Sequence, residues 1–436
     1  MSKAANPSGV PLATMAVLML AVFTVSMGFG IVLPLLPFLI ERLLGAGGDA
    51  AQVSRATGLL TAIYTLALFL FAPVWGRMSD LFGRRVILLS GLVGFGATML
   101  VFSGIENLLG LYAERFLSGL FATAVTPVAL AVIADLAVDK EARAHRLTFV
   151  SLAGISGFLS GPMIGVFMAG ETISSPINSS SDGSLAIPLV ATAVLALLAA
   201  AAAAAALIVP GPKAGAAIQQ HEHHLGHRHQ WLVVRLLALA FVVSAGVGVF
   251  EVGLALRGKQ ELGLTRTQIA MMFTECSLVM IIVQAIVFSR IKPETTRWLI
   301  APALAVLSAA LFLMPFAYNF PLMLAGVGAV AASAGILSPI LTFWISSKAG
   351  TAQGAAFGTQ TAAASLGGAV GAAAGGLLFD VAFLPNASFM LTAVLIALGF
   401  LLSLGLPNLL ARGKPDRPVP VATLASSAGS QPKATP

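Results

Sequence analysis

Residues 13–40 read ATMAVLMLAVFTVSMGFGIVLPLLPFLI, a run without one charged side chain. The hydrocarbon core of a bilayer is about 30 Å thick and holds no water to satisfy backbone N–H and C=O groups, so a chain crosses it as a helix of roughly 20 apolar residues. The run meets that length. It is also much longer than the apolar core of a signal peptide, about 7–15 residues, and many similar runs follow it, so it reads as a retained membrane helix.

Eleven further segments have the same character, near residues 57–75, 86–104, 108–134, 147–169, 185–209, 232–256, 268–288, 298–316, 320–346, 354–379 and 387–407. The expected fold is therefore an all-α membrane protein with twelve transmembrane helices. Composition agrees: 58% of the residues are hydrophobic and 9% are charged, where a soluble domain carries about 25% charged residues. The excess of 24 Lys and Arg over 17 Asp and Glu would suggest nucleic acid only if it formed a patch on a water-soluble face. Here the bases fall in short loops between apolar runs, which points to membrane orientation and to no nucleic-acid partner. The single cysteine, Cys276, lies inside an apolar run, so neither an internal disulfide nor a Cys-based metal cluster is expected.

An even number of spans places both termini on one side. The N-terminus, the loops leading from even to odd spans and the C-terminal tail hold 18 of the 24 bases, and the remaining loops and helix ends hold 6. The basic side is expected to be cytoplasmic. Trp75, Trp231, Trp298 and Trp344 all fall at the cytoplasmic ends of the predicted helices, where an amphipathic indole sits well.

The longest inner connection, near 210–230, splits the chain into two sets of six helices. The expected organisation is a cytoplasmic N-terminus over 1–12, one six-helix half over 13–209, a His-rich cytoplasmic linker over 210–231, a second half over 232–407 and a disordered cytoplasmic tail over 408–436. Glycine spacing supports the duplication. Gly157, Gly161 and Gly165 in the fifth span recur 210 positions later as Gly367, Gly371 and Gly375 in the eleventh. Small residues four apart form one stripe along a helix and let backbones approach closely. Packing explains the glycines, and repetition at the same place in each half suggests two pseudo-symmetric halves around a central site.

Between the second and third spans stands Gly76-Arg77-Met78-Ser79-Asp80-Leu81-Phe82-Gly83-Arg84-Arg85. Its glycines permit a tight turn at the membrane face, and Arg84 and Arg85 supply inner charge. This loop resembles the main loop motif of the major facilitator superfamily, with Leu81 in place of the base that usually follows the acid. In the fourth span, Arg115-Phe116-Leu117-Ser118-Gly119 resembles the family motif whose arginine lies near proton-handling groups, with Ser118 where Gln is common. Gly154, Gly157, Gly161-Pro162 and Gly165 in the fifth span look like the antiporter motif, with Val166 at the position of a last glycine. Asp139-Lys140-Glu141-Ala142-Arg143 and Gly28-Phe29-Gly30-Ile31-Val32-Leu33-Pro34 complete a resemblance to the twelve-helix drug:proton antiporter group. It implies that Gly76, Asp80, Gly83, Arg84 and Arg85 act as a latch on the cytoplasmic side. Pro162 breaks one helical hydrogen bond and suits a pivot.

Energy coupling calls for a carboxylate inside the bundle, able to exchange a proton. The first and third spans contain none. Candidates are Glu275, a third of the way along the eighth span from the outer side and the deepest of the three, Glu251 near the outer end of the seventh span, and Glu114, with Arg115 as a possible counter-charge. His221, His223, His224, His227 and His229 cluster in the inner linker and could bind a divalent metal. The alternative is a solvated linker that happens to be His-rich, since no Cys or acid cage beyond Glu222 accompanies the histidines.

No Gly-x-x-x-x-Gly-Lys-Ser/Thr loop is present, so ATP-driven transport within this chain is not expected. The chain reads as a secondary transporter rather than an enzyme, with no cofactor. Its expected partners are a small-molecule or ion substrate, protons and the lipid bilayer, and its oligomeric state is not legible. Proton-coupled export by alternating access is the leading expectation. Transport of iron, zinc or a metal chelate, and a transport-inactive membrane sensor or assembly partner, stand as alternatives. The expected location is a bacterial inner membrane or an internal membrane derived from it.

Overall fold

A computed structural model describes residues 11–45, 48–136, 140–169, 186–207, 227–290, 293–348, 353–381 and 386–411. The described residues contain fourteen α-helices. The first seven are α1 (Leu12–Leu44), α2 (Ala50–Phe82), α3 (Arg84–Ser103), α4 (Leu108–Thr123), α5 (Thr126–Leu136), α6 (Lys140–Met168) and α7 (Ala186–Ala206). After the connection come α8 (His227–Gln260), α9 (Arg266–Arg290), α10 (Ile300–Leu313), α11 (Phe320–Lys348), α12 (Gln353–Leu377), α13 (Ala387–Ser403) and α14 (Leu406–Ala411).

These helices supply twelve membrane crossings, because α4 and α5 share the fourth and the short α14 follows the last. Ten of the crossings are long and apolar enough to span a membrane by themselves. The other two differ for physical reasons. Helix α12 is built mostly from Gly, Ala, Ser, Thr and Gln, and it packs against both α8 and α2. A helix inside the bundle meets protein rather than lipid, so small residues serve it better than large apolar ones. Helix α13 has 17 residues, about 26 Å at 1.5 Å per residue, and α14 continues it. The fourth crossing, expected as one helix, breaks at Ala124–Val125, and Pro127 stands in the first turn of α5. Proline there lacks only an N–H that a first turn leaves free, while its ring would collide with the carbonyl of a continuing helix.

The two halves are built alike. Along α6, Gly157 and Gly161 lie so close to the Phe23 and Met27 carbonyls of α1 that a Cβ would collide, and Gly165 lies against Ile31. Along α12, Gly367 and Gly371 lie in the same way on the Phe241 and Ala245 carbonyls of α8, and Gly375 on Val249. Phe241, Ala245 and Val249 each stand 218 positions after their counterparts Phe23, Met27 and Ile31. One helix crossing is thus repeated, residue for residue, in each half.

Contacts between the halves run from α1, α2 and α6 to α8, α9 and α12. Near the start of α2, a Cβ on Gly58 would lie 2.6 Å from the Cα of Gly376 in α12. Only paired glycines allow that approach. Leu70, Val101, Leu109, Phe167, Leu198, Ile286, Phe312 and Leu398 are exposed on the outside, a surface that belongs in lipid rather than water.

Candidate functional site

The stretch from Gly76 to Arg85, expected as a loop, is helical almost throughout. Helix α2 continues to Phe82, only Gly83 leaves the helix, and α3 begins at Arg84. Gly83 has φ +92°, a conformation that costs glycine little and strains other residues. The bend brings Arg84 back over the end of α2. Its guanidinium lies 2.6 Å from Asp80 and 3.2 Å from Asp135 at the end of α5, and it also donates to the Ser79 hydroxyl. Arg84 therefore ties the second, third and fourth crossings together. Arg85 donates to the Ala204 carbonyl at the end of α7, and Trp75 donates to the Leu120 carbonyl of α4 at 2.7 Å.

The glycine-proline stripe forms the seat of α6 on α1. Pro162 is inside α6, and its ring lies near Gly30, where a Cβ would come within 3.3 Å of Pro162 Cδ. At mid-depth Phe29 stacks on Tyr64 of α2 and on Phe158 of α6, with ring centroids 5.0 and 5.8 Å apart. This three-ring wall joins α1, α2 and α6 within the first half.

Behind Tyr64 sits Arg115. It is 2% exposed, lies 5.6 Å from the Tyr64 ring centre and 4.5 Å from that of Phe102, and pairs with Glu114. The charge pair is buried within the first half, so Arg115 does not meet Glu275.

In the second half Glu251 stands deeper than the sequence suggests. Helix α8 runs to Gln260, so Glu251 lies nine residues inside its end rather than near the rim. Glu275 lies nine residues inside the start of α9, so both are at about 13 Å along their helices. The Cys276 thiol is within electrostatic range of both carboxylates. Glu275 Oε1 faces Gly328 of α11, where a Cβ would lie 3.4 Å away. Its Oε2 is buried without a hydrogen-bond partner among the described residues, as is the neighbouring Thr274 hydroxyl. A buried acceptor left open in this way is suited to carrying a proton.

His221, His223 and His224 lie outside the described residues. His227 and His229 begin α8, and among the described residues no group of three or more His, Cys, Asp or Glu could hold a metal ion.

Nothing in the sequence singles out Asp135, which joins Arg84 only through the fold, or Phe29, Tyr64 and Phe158, which meet only once three helices bring them together.

Comparison with known proteins places these features in a family. The model of the Major Facilitator Superfamily matches residues 18–359. The chain is 28% identical over 400 residues to "Multidrug resistance protein 1" of Bacillus subtilis, covering 90% of this chain and 95% of that protein. It is 26% identical over 367 residues to "Quinolone resistance protein NorA" of Staphylococcus aureus, covering 84% and 89%. Among solved structures it resembles the human organic anion transporter MFSD10 (TETRAN), with a TM-score of 0.66, 21% identity and coverage of 91% and 100%. It also resembles a D-xylose-proton symporter, with a TM-score of 0.70, 14% identity and coverage of 90% and 96%. At these identities the two structures speak for the fold alone.

Proposed function

We propose, for a chain that belongs to the major facilitator superfamily, that it exports a small organic solute in exchange for protons. As a member of that family it is a multi-pass membrane protein and a secondary transporter, not an enzyme. The finer reading rests on one observation: Glu275 lies deep in α9 with a buried oxygen that no hydrogen bond satisfies. An ionised side chain at the centre of a membrane span costs about 2.5–3.5 kcal/mol on insertion scales. A carboxylate so placed holds a proton while its surroundings are dry and releases it when water enters. Alternating access wets such a site from one side and then the other, so the proton gradient drives the cycle.

The resistance proteins named above support solute export as the direction. The bases gathered at the terminal end of the bundle support a cytoplasmic location for both termini, in a bacterial cell membrane. Iron or zinc transport gains nothing from the described residues, which offer no ligand cluster.

Proteoliposome flux tests the proposal. Purified protein, given a panel of aromatic and amphipathic drugs under an imposed pH gradient, should accumulate at least one of them, and collapsing the gradient should stop it. Accumulation of iron or zinc and of no organic solute would contradict the proposal.

A further inference from the structure

The end of the bundle remote from both termini is closed by side chains that reach from one half to the other. Lys259, in the last turn of α8, ion-pairs with Glu41 of α1 and donates to the Pro37 carbonyl at 3.0 Å. Its ammonium lies 4.9 Å from the centre of the Phe38 ring, and the Arg266 guanidinium at the start of α9 lies 5.2 Å from the same centre. Beside them Gln260 accepts from the Ser54 hydroxyl and donates to the Ala50 carbonyl of α2, each at 3.2 Å. The Gly58–Gly376 backbone approach lies one turn beyond Ser54.

The cations Lys259 and Arg266 belong to the second half, and the ring of Phe38 and the carboxylate of Glu41 belong to the first. Every one of these contacts must break if the halves part at this end. Lys259 is 11% exposed and Glu41 64%, so the ammonium has left most of its water and depends on Glu41, Pro37 and Phe38 to replace it. Arg266 is also near enough to act on Lys259 as a like charge. Removing the negative charge of Glu41 therefore weakens the attraction across the halves and leaves that repulsion in place.

We infer that Lys259, held by Glu41 and the Pro37 carbonyl against Phe38, is the latch that keeps this end of the transporter shut, and that Glu41 sets its strength. This deepens the transport reading by naming the contact that the cycle has to break. No element of it depends on which solute is carried.

Opening can be measured without any solute, so a failure here is separable from a failure of flux. In a Cys276→Ser background, Ser54→Cys places a thiol directly behind the latch at a buried position, and a membrane-impermeant maleimide reports how often water reaches it. Glu41→Gln should raise the labelling rate about fivefold, as loss of a partly exposed ion pair shifts a two-state equilibrium. Lys259→Arg, which keeps a cation able to meet Glu41, the Pro37 carbonyl and the Phe38 ring, should label close to the parent rate. In the parent itself, 1 M salt should raise labelling by screening the pair, which tests the idea even if a variant folds poorly. Equal labelling in parent and Glu41→Gln, a Lys259→Arg variant as reactive as Glu41→Gln, or no response to salt would each overturn the latch.

Discussion

The guanidinium of Arg115 closes on the carboxylate of its own chain neighbour, Glu114, through contacts of 2.7 and 3.0 Å. Successive helical residues normally point apart, and this pair meets because both side chains are enclosed by α2 and α3 and, among the described residues, face no other charge. Each is 2% exposed. Glu114→Gln strands a buried guanidinium and Arg115→Gln a buried carboxylate, so each single change should destabilise the protein by about 3–5 kcal/mol, and the double change by less than either. Thermal unfolding in detergent, compared across the three variants, checks this.

Glycines on the repeated crossings should differ sharply from one beside them. Gly161→Ala and Gly371→Ala each place a methyl group into a backbone carbonyl of the facing helix, and should cost about 1–3 kcal/mol or more. Gly368, one turn of the same helix but with nothing within 4 Å of its missing Cβ, should accept alanine and gain about 0.5–1 kcal/mol from helix propensity. Melting temperatures of the three alanine variants decide it.

Asp80 is the most exposed member of the Arg84 junction, at 63% against 34% for Asp135. Asp80→Asn should therefore change stability by less than about 1 kcal/mol, since Arg84 keeps Asp135 and Ser79. Its effect is expected in switching: normal membrane insertion with poor transport. Flux equal to that of the parent, at matched protein levels, would reduce the motif to an anchor of orientation.

The course of the twelve crossings was legible because lipid imposes a length and an apolar character on each run, as in residues 13–40. The repeated glycines were legible too, since Gly157 and Gly367 can be aligned by counting. Less visible was anything decided by a second helix. Arg77 to Phe82 looked like loop because Arg77 and Asp80 face water at the membrane surface, yet the stretch continues α2 to Gly83. Glu251 looked marginal because Arg257, Lys259 and Gln260 read as the water-exposed end of a span. In the structure, Arg257 is buried against the Pro315 and Ala317 carbonyls, so the helix continues and Glu251 moves inward. Lys259 and Glu41, 218 positions apart, each resembled an isolated charge at a helix end, and only the assembled bundle pairs them.

The central claim is that a carboxylate in the second half carries the coupling proton, with Glu275 foremost because its buried oxygen lacks a partner. The most direct measurement is pH-gradient-driven accumulation of a transported drug in proteoliposomes, set beside drug exchange at equal pH, for the parent and for Glu275→Gln, Glu251→Gln and Glu114→Gln. Glutamine keeps the shape of the protonated acid and cannot release a proton. Glu275→Gln should therefore retain exchange and lose uphill accumulation by about tenfold or more. Full accumulation by Glu275→Gln with loss in Glu251→Gln would move the role to α8, and full accumulation by all three variants would contradict proton coupling through these residues.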